Sequence, residues 1–372
     1  MDLSNLRLDT ERMLQALRRW VECESPTFDA VAVNRMMDLA AADLKDAGAG
    51  VERIGGPAGF GDCLRASFPH PNRGQPGILI MGHLDTVHPV GTLEKLPFRV
   101  EGEYCYGPGI IDMKGGNRAA LEAITALQQA GISSNLPITF LLTCDEEIGS
   151  PGTRSLIEAE AQRHKYVLVP EPALGNGGVI TGRYAIARFH LTAFGKPSHA
   201  GAALADGRSA VREMARRLIE IEDMTTPDCT FSVGVIHGGQ WVNCVPTICR
   251  AEALAMAKRQ ADLDTGISKI LEKSAPAFEV KRSVVRPVWE PSATTLMLYE
   301  TARKIAGELG MELPQGSAGG GSDANFTGAM DIPSLDGLGL TGDGIHTLEE
   351  RILISSLPNR VRLIAGLLAE LT

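Results

Sequence analysis

The alternation of short apolar runs with helical patterns most constrains the fold of this 372-residue chain. Apolar runs at residues 77–81, 138–143 and 166–169 predict buried strands, because each is only a few residues long. Apolar side chains at helical spacing separate these runs, at residues 115–129 and 153–162. Strands that alternate with helices predict the α/β class, with a mostly parallel sheet and helices on both faces.

A different pattern begins at Gly182. It comprises strands at 185–192, 230–236, 248–257 and 278–285, and helices at 209–221 and 266–274. The order strand, helix, strand, strand, helix, strand is that of a ferredoxin-like α+β unit. We therefore predict an inserted domain at residues 182–286, which divides the first domain into residues 1–181 and 287–372.

The composition excludes several classes of protein. Hydrophobic residues make up 44% and charged residues 22%, which is typical of a globular chain and not of a disordered one. No apolar run approaches the ~18 residues that a membrane span needs. The 45 acidic residues outnumber the 36 basic ones, which disfavours nucleic-acid binding. We therefore expect neither nucleic acid nor a membrane as a partner.

The cysteines and the N-terminal segment bear on the cellular compartment. Seven cysteines are an odd number, and none forms a Cys-x-x-Cys pair, so reduced thiols are expected. Residues 1–20 carry mixed charge and lack the apolar stretch of a secretory signal. Both observations predict a cytoplasmic protein.

Residues that can bind metal or transfer protons lie where the predicted strands end. His83 and Asp85 follow the first strand two positions apart, so on an extended chain both side chains point the same way. A carboxylate beside a histidine is the usual partner that orients a metal ligand. A turn with Asp85 as a cap is an equally simple interpretation of this fragment.

Acidic residues also appear in two further motifs. Asp112 is flanked by glycines, which let the backbone come close to a ligand, although it could simply cap the following helix. Glu146 and Glu147 follow the second strand. Because adjacent side chains diverge, one could bind metal while the other acts as a general base. A solvated acidic loop is the alternative.

Two more candidates complete the set. Glu171 lies between two prolines after the third strand, which favours an extended backbone. His346 follows a glycine-rich stretch at 316–323, and a lone histidine is usually a core or surface residue. Taken together, however, these histidines and carboxylates fall where an open α/β sheet binds its ligands. Two metal ions about 3.5–4 Å apart require such a set.

The motifs, taken in order, resemble the dinuclear zinc exopeptidase and aminoacylase family. That family includes glutamate carboxypeptidases, acetylornithine deacetylases and succinyl-diaminopimelate desuccinylases, and the resemblance is strongest to the glutamate carboxypeptidases. It covers nearly the whole chain. The motifs are HLDT at 83–86, PFRVEG at 97–102, YGPG at 106–109, DEE at 145–147, EP at 171–172, PSHAG at 197–201, NCVP at 243–246, GGGSD at 319–323 and the segment 346–356.

The resemblance implies a metal centre with two Zn²⁺ ions, although Co²⁺ or Mn²⁺ also suits mixed histidine and carboxylate ligands. His83 and Glu171 would bind one ion, and Glu147 and His346 the other. Asp112 would bridge both ions, and a cis peptide bond often follows this residue in the family.

The resemblance also implies the remaining roles. Glu146 would be the general base, and Asp85 would lie behind the ligand His83. His199, in the inserted lid domain, would reach the active site of the other subunit of a homodimer and stabilise the oxyanion there. The implied substrate contacts are Asn243, Arg286 and Gly321.

Two departures from the family pattern concern the substrate. The Asn-x-x-Pro strand usually continues to an Asp-x-Arg motif, where this chain has Leu254 and Met256. Gly178 stands where glutamate carboxypeptidases have a substrate-facing lysine. Both changes remove positive charge and leave the choice of substrate open.

We therefore expect a zinc-dependent hydrolase that releases a C-terminal amino acid from a dipeptide-like or N-acyl substrate. The alternative within this class is an N-acyl-amino-acid amidohydrolase, or a deaminating aminohydrolase, with a less charged substrate. The alternative from another class is a non-catalytic binding protein of the same fold. Such proteins usually lose a ligand or the base, whereas every one of those positions is filled here.

Overall fold

The computed structural model describes Leu3 and residues 6–372. Its helices are α1 (Thr10–Val21), α2 (Ala30–Asp46), α3 (Gly115–Gln129), α4 (Arg154–Ala161), α5 (Ala210–Glu222), α6 (Gln260–Leu271), α7 (Ala293–Glu308), α8 (Ala324–Ala329) and α9 (Ser356–Glu370). Its strands are β1 (Gly50–Ile54), β2 (Cys63–Ser67), β3 (Ile78–His83), β4 (Arg99–Glu101), β5 (Tyr104–Tyr106), β6 (Ile138–Thr143), β7 (Tyr166–Leu168), β8 (Val179–Arg183), β9 (Ala185–Phe194), β10 (Cys229–Gly238), β11 (Ile248–Ala257), β12 (Phe278–Arg286), β13 (Gln315–Ala318), β14 (Ser334–Leu335), β15 (Gly342–Asp343) and β16 (Arg351–Leu353).

The largest sheet has six strands in the order β1-β2-β6-β3-β7-β14. Strands β6, β3, β7 and β14 are parallel neighbours, whereas β1 and β2 form an antiparallel edge. Every residue of β3 and β6 is buried, as expected for parallel strands that are covered on both faces. The predicted α/β class with a mostly parallel sheet is confirmed.

Successive side chains of β3 pack into two different apolar clusters, one on each face of the sheet. Ile78 and Ile80 pack into the cluster that includes apolar side chains of α1, α2, α3, α7 and α9. Leu79 and Met81 pack into the opposite cluster, with side chains of α4 and α8. This division follows from the two-residue period of a strand, and it places helices on both faces of the sheet.

The described residues form two compact units. The first comprises the chain up to Gly182 together with Trp289–Ala318 and Ser322–Thr372. The second comprises Arg183–Val288 and Gly319–Gly321. The three glycines thus group with the second unit, although the sequence pattern predicts them in the 287–372 segment of the first.

The second unit is an antiparallel sheet with the order β10-β11-β9-β12 and two helices, α5 and α6. Its own core includes Phe189, Leu191 and Phe278. The predicted ferredoxin-like α+β fold is therefore confirmed. One helix prediction is wrong at its start, because α6 begins at Gln260 and not at Gly266.

Two small sheets complete the first unit. The first is a four-stranded sheet with the order β15-β16-β5-β4. In it, strand β16 pairs with β5 and brings Arg351 opposite Tyr106. This pairing joins the segment before Asp112 to the segment after His346. Strand β13 pairs with β8. Among the described residues, no helix has the length and apolarity needed to cross a membrane.

Candidate metal centre

Side chains from five segments of the first unit meet at the carboxyl ends of its parallel strands. Strands β6, β3 and β7 are neighbours, so the residues that end or follow them lie side by side. The segment before α3 and the loop between β15 and β16 contribute the rest. The side chains brought together are His83, Asp112, Glu146, Glu147, Glu171 and His346.

The imidazole of His83 is buried, and its two nitrogens face different groups. Nδ1 lies 2.9 Å from the backbone oxygen of Asp85 and 3.4 Å from its Oδ1. Nε2 lies 3.2 Å from Asp112 Oδ1, 3.7 Å from Glu171 Oε1 and 3.9 Å from Glu146 Oε2. The contact with Asp85 therefore fixes the ring so that Nε2 faces three carboxylates.

The imidazole of His346 has a similar arrangement on the other side of Asp112. Its Nε2 lies 3.2 Å from Asp112 Oδ2 and 3.1 Å from Glu147 Oε2. Asp112 thus directs one oxygen to each histidine. The Asp112–Met113 peptide bond is cis, as the family resemblance implies.

These distances suit shared metal ligands. Ligand atoms 2.0–2.1 Å from a tetrahedral zinc ion lie about 3.4 Å apart, which is close to the observed separations. Two groups have ligand atoms within 4.8 Å of one another, namely His83 with Asp112 and Glu147, and His83 with Glu146 and Glu171. Imidazole nitrogen and carboxylate oxygen are ligands that divalent transition metals accept. Both groups contain His83, so they divide the carboxylates differently from the resemblance, which places Glu147 with His346. Every residue in them is nevertheless an implied ligand or the implied base, so the residues present fit metal ions at this site.

The electrostatics of the cluster favour a cation. Burial, together with the charge of Asp112, raises the pKa of Glu147 to about 8 and the pKa of Glu171 well above its ordinary value. Hydrogen bonds with Asp112 and Glu147 raise the pKa of His346 to about 10. Glu147 and Glu171 thus retain protons that a divalent cation would displace.

Asp85 supports more than the histidine in front of it. Its Oδ1 accepts a hydrogen bond from the backbone N–H of Glu146 at 3.2 Å. Its Oδ2 accepts from the N–H of Glu147 at 3.3 Å and from Thr27 Oγ1 at 2.8 Å. Asp85 therefore fixes the turn that carries both glutamates as well as His83. Thr27 is a contributor that the sequence pattern does not reveal, because it lies far away in the chain.

His199 and Asn243 lie together in the second unit. His199 Nδ1 accepts hydrogen bonds from the N–H groups of Gly201 and Ala202, at 3.1 and 3.0 Å. The neutral ring therefore carries its proton on Nε2, which is left as a donor. The backbone oxygen of Asn243 accepts from the N–H of Ala200 at 2.9 Å, which joins the two motifs.

Arg286 and Gly321 are also neighbours in the second unit. A Cβ atom added to Gly321 would lie 3.0 Å from Arg286 Cδ, so the arginine packs directly against the glycine backbone. Arg183, which no sequence motif indicates, donates a hydrogen bond to the backbone oxygen of Gly320 at 2.9 Å. Two buried arginines thus hold this glycine loop.

The two departures from the family pattern have different structural contexts. Met256 lies beside the glycine loop, with its sulfur 3.4 Å from where a Cβ of Gly319 would be. A Cβ at Gly178 would lie only 2.6 Å from the backbone oxygen of Pro314. The backbone of this chain therefore leaves no room for a lysine at position 178.

The sheet and the cluster at its strand ends are the arrangement expected of a metal-dependent hydrolase. The model of peptidase family M20/M25/M40 matches residues 79–370. The chain therefore belongs to this family of metallopeptidases and amidohydrolases, and the resemblance noted from the motifs is confirmed.

Individual proteins agree with the family match. Carboxypeptidase G2 of Pseudomonas sp. (strain RS-16) is 33% identical over 376 residues, which cover 96% of this chain and 89% of the relative. Succinyl-diaminopimelate desuccinylase of Hydrogenovibrio crunogenus is 26% identical over 384 residues, or 96% and 98% of the two chains. The solved structure of an M20 family metallo-carboxypeptidase, Sso-CP2 from Sulfolobus solfataricus, shares the fold. Its TM-score is 0.76 at 16% identity, with 97% and 99% of the chains covered.

Proposed function

We propose that the chain is a dinuclear zinc carboxypeptidase that releases a C-terminal amino acid from a peptide or an N-acyl amino acid. The observation that carries the proposal is the position of Asp112, whose two oxygens each lie 3.2 Å from a different histidine. A carboxylate that directs one oxygen to each of two histidine ligands is the residue expected to be shared between two metal ions. The similarity to carboxypeptidase G2 supports this type of substrate.

The ligands divide between two ions. His83 and Glu171 would hold one ion, Glu147 and His346 would hold the other, and Asp112 would contribute to both sites. When bound, the ions lower the pKa of water from 15.7 towards about 7 and polarise the scissile carbonyl. Co²⁺ or Mn²⁺ could replace Zn²⁺ with these ligands.

Glu146 transfers the protons of the reaction. Its carboxylate lies beside the ligands, 3.9 Å from His83 Nε2, and its backbone N–H is held by Asp85. It accepts a proton from the attacking water and then delivers that proton to the leaving amine. Asp85 keeps both His83 and Glu146 in place during these steps.

The second unit supplies the contacts to the substrate. Nε2 of His199 donates a hydrogen bond to the developing oxyanion in the active site of the other subunit. Asn243, Arg286 and the backbone of Gly321 bind the rest of a small, dipeptide-like substrate. The buried position of Arg286 beside Gly321 supports a role in holding a substrate carboxylate.

The proposed homodimer forms through this lid unit. Strand β10 is at the edge of its sheet, and its apolar Val235 and Ile236 are 40% and 50% exposed. Trp241, shortly after the strand, is 72% exposed. An exposed apolar edge strand is a surface that pairs with another chain, and a second copy is the simplest partner.

A pocket beside His346 favours a second candidate function. It has a volume of about 570 Å³, within the range typical of ligand pockets, and is lined in part by Val87, Val90, Lys95 and Leu348. The apolar part of this mixed lining, next to a proposed metal ligand, suits a substrate with an apolar acyl group. The second candidate is therefore an N-acyl-amino-acid amidohydrolase with little preference for glutamate.

A substrate panel on the zinc-loaded protein tests both candidates. The panel contains N-acetyl and N-benzoyl derivatives of glutamate, alanine and leucine, together with a folate-like glutamate conjugate, and the released amino acid is measured. Preference for the glutamate compounds supports the carboxypeptidase G2-like activity. Equal use of alanine and leucine compounds supports the second candidate, and no hydrolysis of any amide by protein that holds two zinc ions contradicts both.

A further inference from the structure

A buried carboxylate, that of Glu350, holds the backbone segment that carries Asp112. Its Oε1 accepts hydrogen bonds from the N–H groups of Ile111 and Asp112, at 3.0 and 3.2 Å. Its Oε2 accepts from the N–H of Gly109 at 2.9 Å and from His88 Nε2 at 2.7 Å. Glu350 is only 1% exposed, so its charge is balanced by these donors and not by solvent.

The same residue also belongs to the segment that carries His346. Glu350 follows His346 by four positions and immediately precedes β16. Its own backbone oxygen accepts from the N–H of Gly107 at 3.2 Å. One residue therefore joins the segments that provide two of the proposed ligands, Asp112 and His346.

The direction of the Asp112 carboxylate depends on this support. Its two oxygens face His83 and His346 at equal distances of 3.2 Å, so a small rotation of the backbone would move one of them away. The N–H group of Asp112 itself is one of the donors to Glu350. A carboxylate with four donors in a buried site resists such a rotation, because any movement would leave buried polar groups unsatisfied.

We infer that Glu350 is a positioning residue of the metal centre, which orients Asp112 and keeps it in register with His346. This inference rests on the proposed metal ligands. It explains why a carboxylate is buried at this point, where its hydrogen-bond donors are three backbone N–H groups and the imidazole of His88. It also predicts that the two ions bind together, because one residue holds the bridge and the loop of the second histidine.

The test compares Glu350→Gln with Glu349→Gln. The neighbouring Glu349 is exposed, so the same chemical change serves there as a matched control. In Glu350→Gln, the amide NH₂ group must face N–H donors, whichever way the amide is turned. Zinc binding to the metal-free proteins is measured by competition with a chelator. We expect Glu350→Gln to bind zinc about 10–100-fold more weakly, as for other residues that orient metal ligands, and Glu349→Gln to match the native protein.

A spectroscopic measurement separates positioning from general stability. Circular dichroism first establishes that metal-free Glu350→Gln is folded, and if it is not, Glu350→Asp replaces it. The visible absorption of the Co²⁺-loaded variant should then differ from that of the native protein, because the ligand geometry at the metal changes. Native zinc affinity and a native cobalt spectrum in the folded variant would overturn the inference. Native zinc binding by Asp112→Asn would instead contradict the proposed ligands themselves.

Discussion

At the scale of single residues, two adjacent glutamates have different surroundings. Glu147 Oε2 lies 3.1 Å from His346 Nε2, whereas Glu146 Oε2 lies 3.9 Å from His83 Nε2. The backbone N–H groups of both are bound by Asp85. The shortest of these contacts therefore join two identical side chains to different histidines, and we propose Glu147 as a ligand and Glu146 as the base.

The two glutamates should respond differently to the same substitution. Glu146→Gln should keep two zinc ions and lose activity by about 10²–10⁴-fold, because an amide cannot accept the proton. Glu147→Gln should lose zinc, since an amide is a poorer ligand than a carboxylate. Metal content after dialysis and the rate of amide hydrolysis check both expectations, with Glu349→Gln as the control. Normal turnover by Glu146→Gln would exclude it as the base, and loss of zinc there would show it to be a ligand.

At the scale of elements, the sequence predicts best the parts that are buried on both sides. Strands β3 and β6 are continuous apolar runs because both of their faces are covered. Strand β1 has no fully buried residue, so its sequence carries no such signal. The candidate histidines and carboxylates could be singled out because they follow predicted strands or lie near glycines. Thr27 and Glu350 could not, because their roles depend on contacts with distant parts of the chain.

The misplaced start of α6 has a physical cause. Gly266 looks like a helix boundary in the sequence, yet it lies inside the helix. A Cβ there would lie 2.7 Å from Cys229 Sγ and 3.1 Å from Phe231 Cζ, so glycine is required by the close packing of α6 on β10. Packing against another element, which single-sequence periodicity does not contain, overrides the helix propensity here.

Substitution by alanine at two helical glycines should therefore change the free energy of unfolding in opposite directions. Gly266→Ala should destabilise the protein by about 1–3 kcal/mol, because the added methyl group overpacks the core. Gly307→Ala, in α7, should stabilise it by up to about 1 kcal/mol, since no atom of the described residues beyond the adjoining helix backbone lies within 4 Å of the new Cβ. Denaturant unfolding of both variants measures the two free energies. A Gly266→Ala variant as stable as Gly307→Ala would contradict the packing argument.

At the scale of the whole molecule, each unit has the residues that its proposed task requires. The first contains the proposed metal ligands and the proposed base Glu146, and the second has its own core and an exposed apolar edge. His199 presents a donor nitrogen in the second unit, where no proposed metal ligand lies. The proposed reaction therefore needs residues of both units. We propose that His199 of one subunit acts in the active site of the other subunit.

Mixed dimers test this exchange directly. His199→Ala alone should lose about 10²–10³-fold in activity, as when an oxyanion donor is removed. Co-expression with Glu146→Gln should restore about a quarter of native activity, because half of random dimers are mixed and each has one intact site. Co-expressed Glu146→Gln and Glu147→Gln should restore none, since both changes lie in the same unit. Ile236→Glu, at the exposed edge of β10, should sediment as a monomer. Its rate of amide hydrolysis should be low, because a monomer lacks the His199 of a second subunit. A fully active monomer, or no recovery in the His199→Ala mixture, would show that His199 does not act across a dimer.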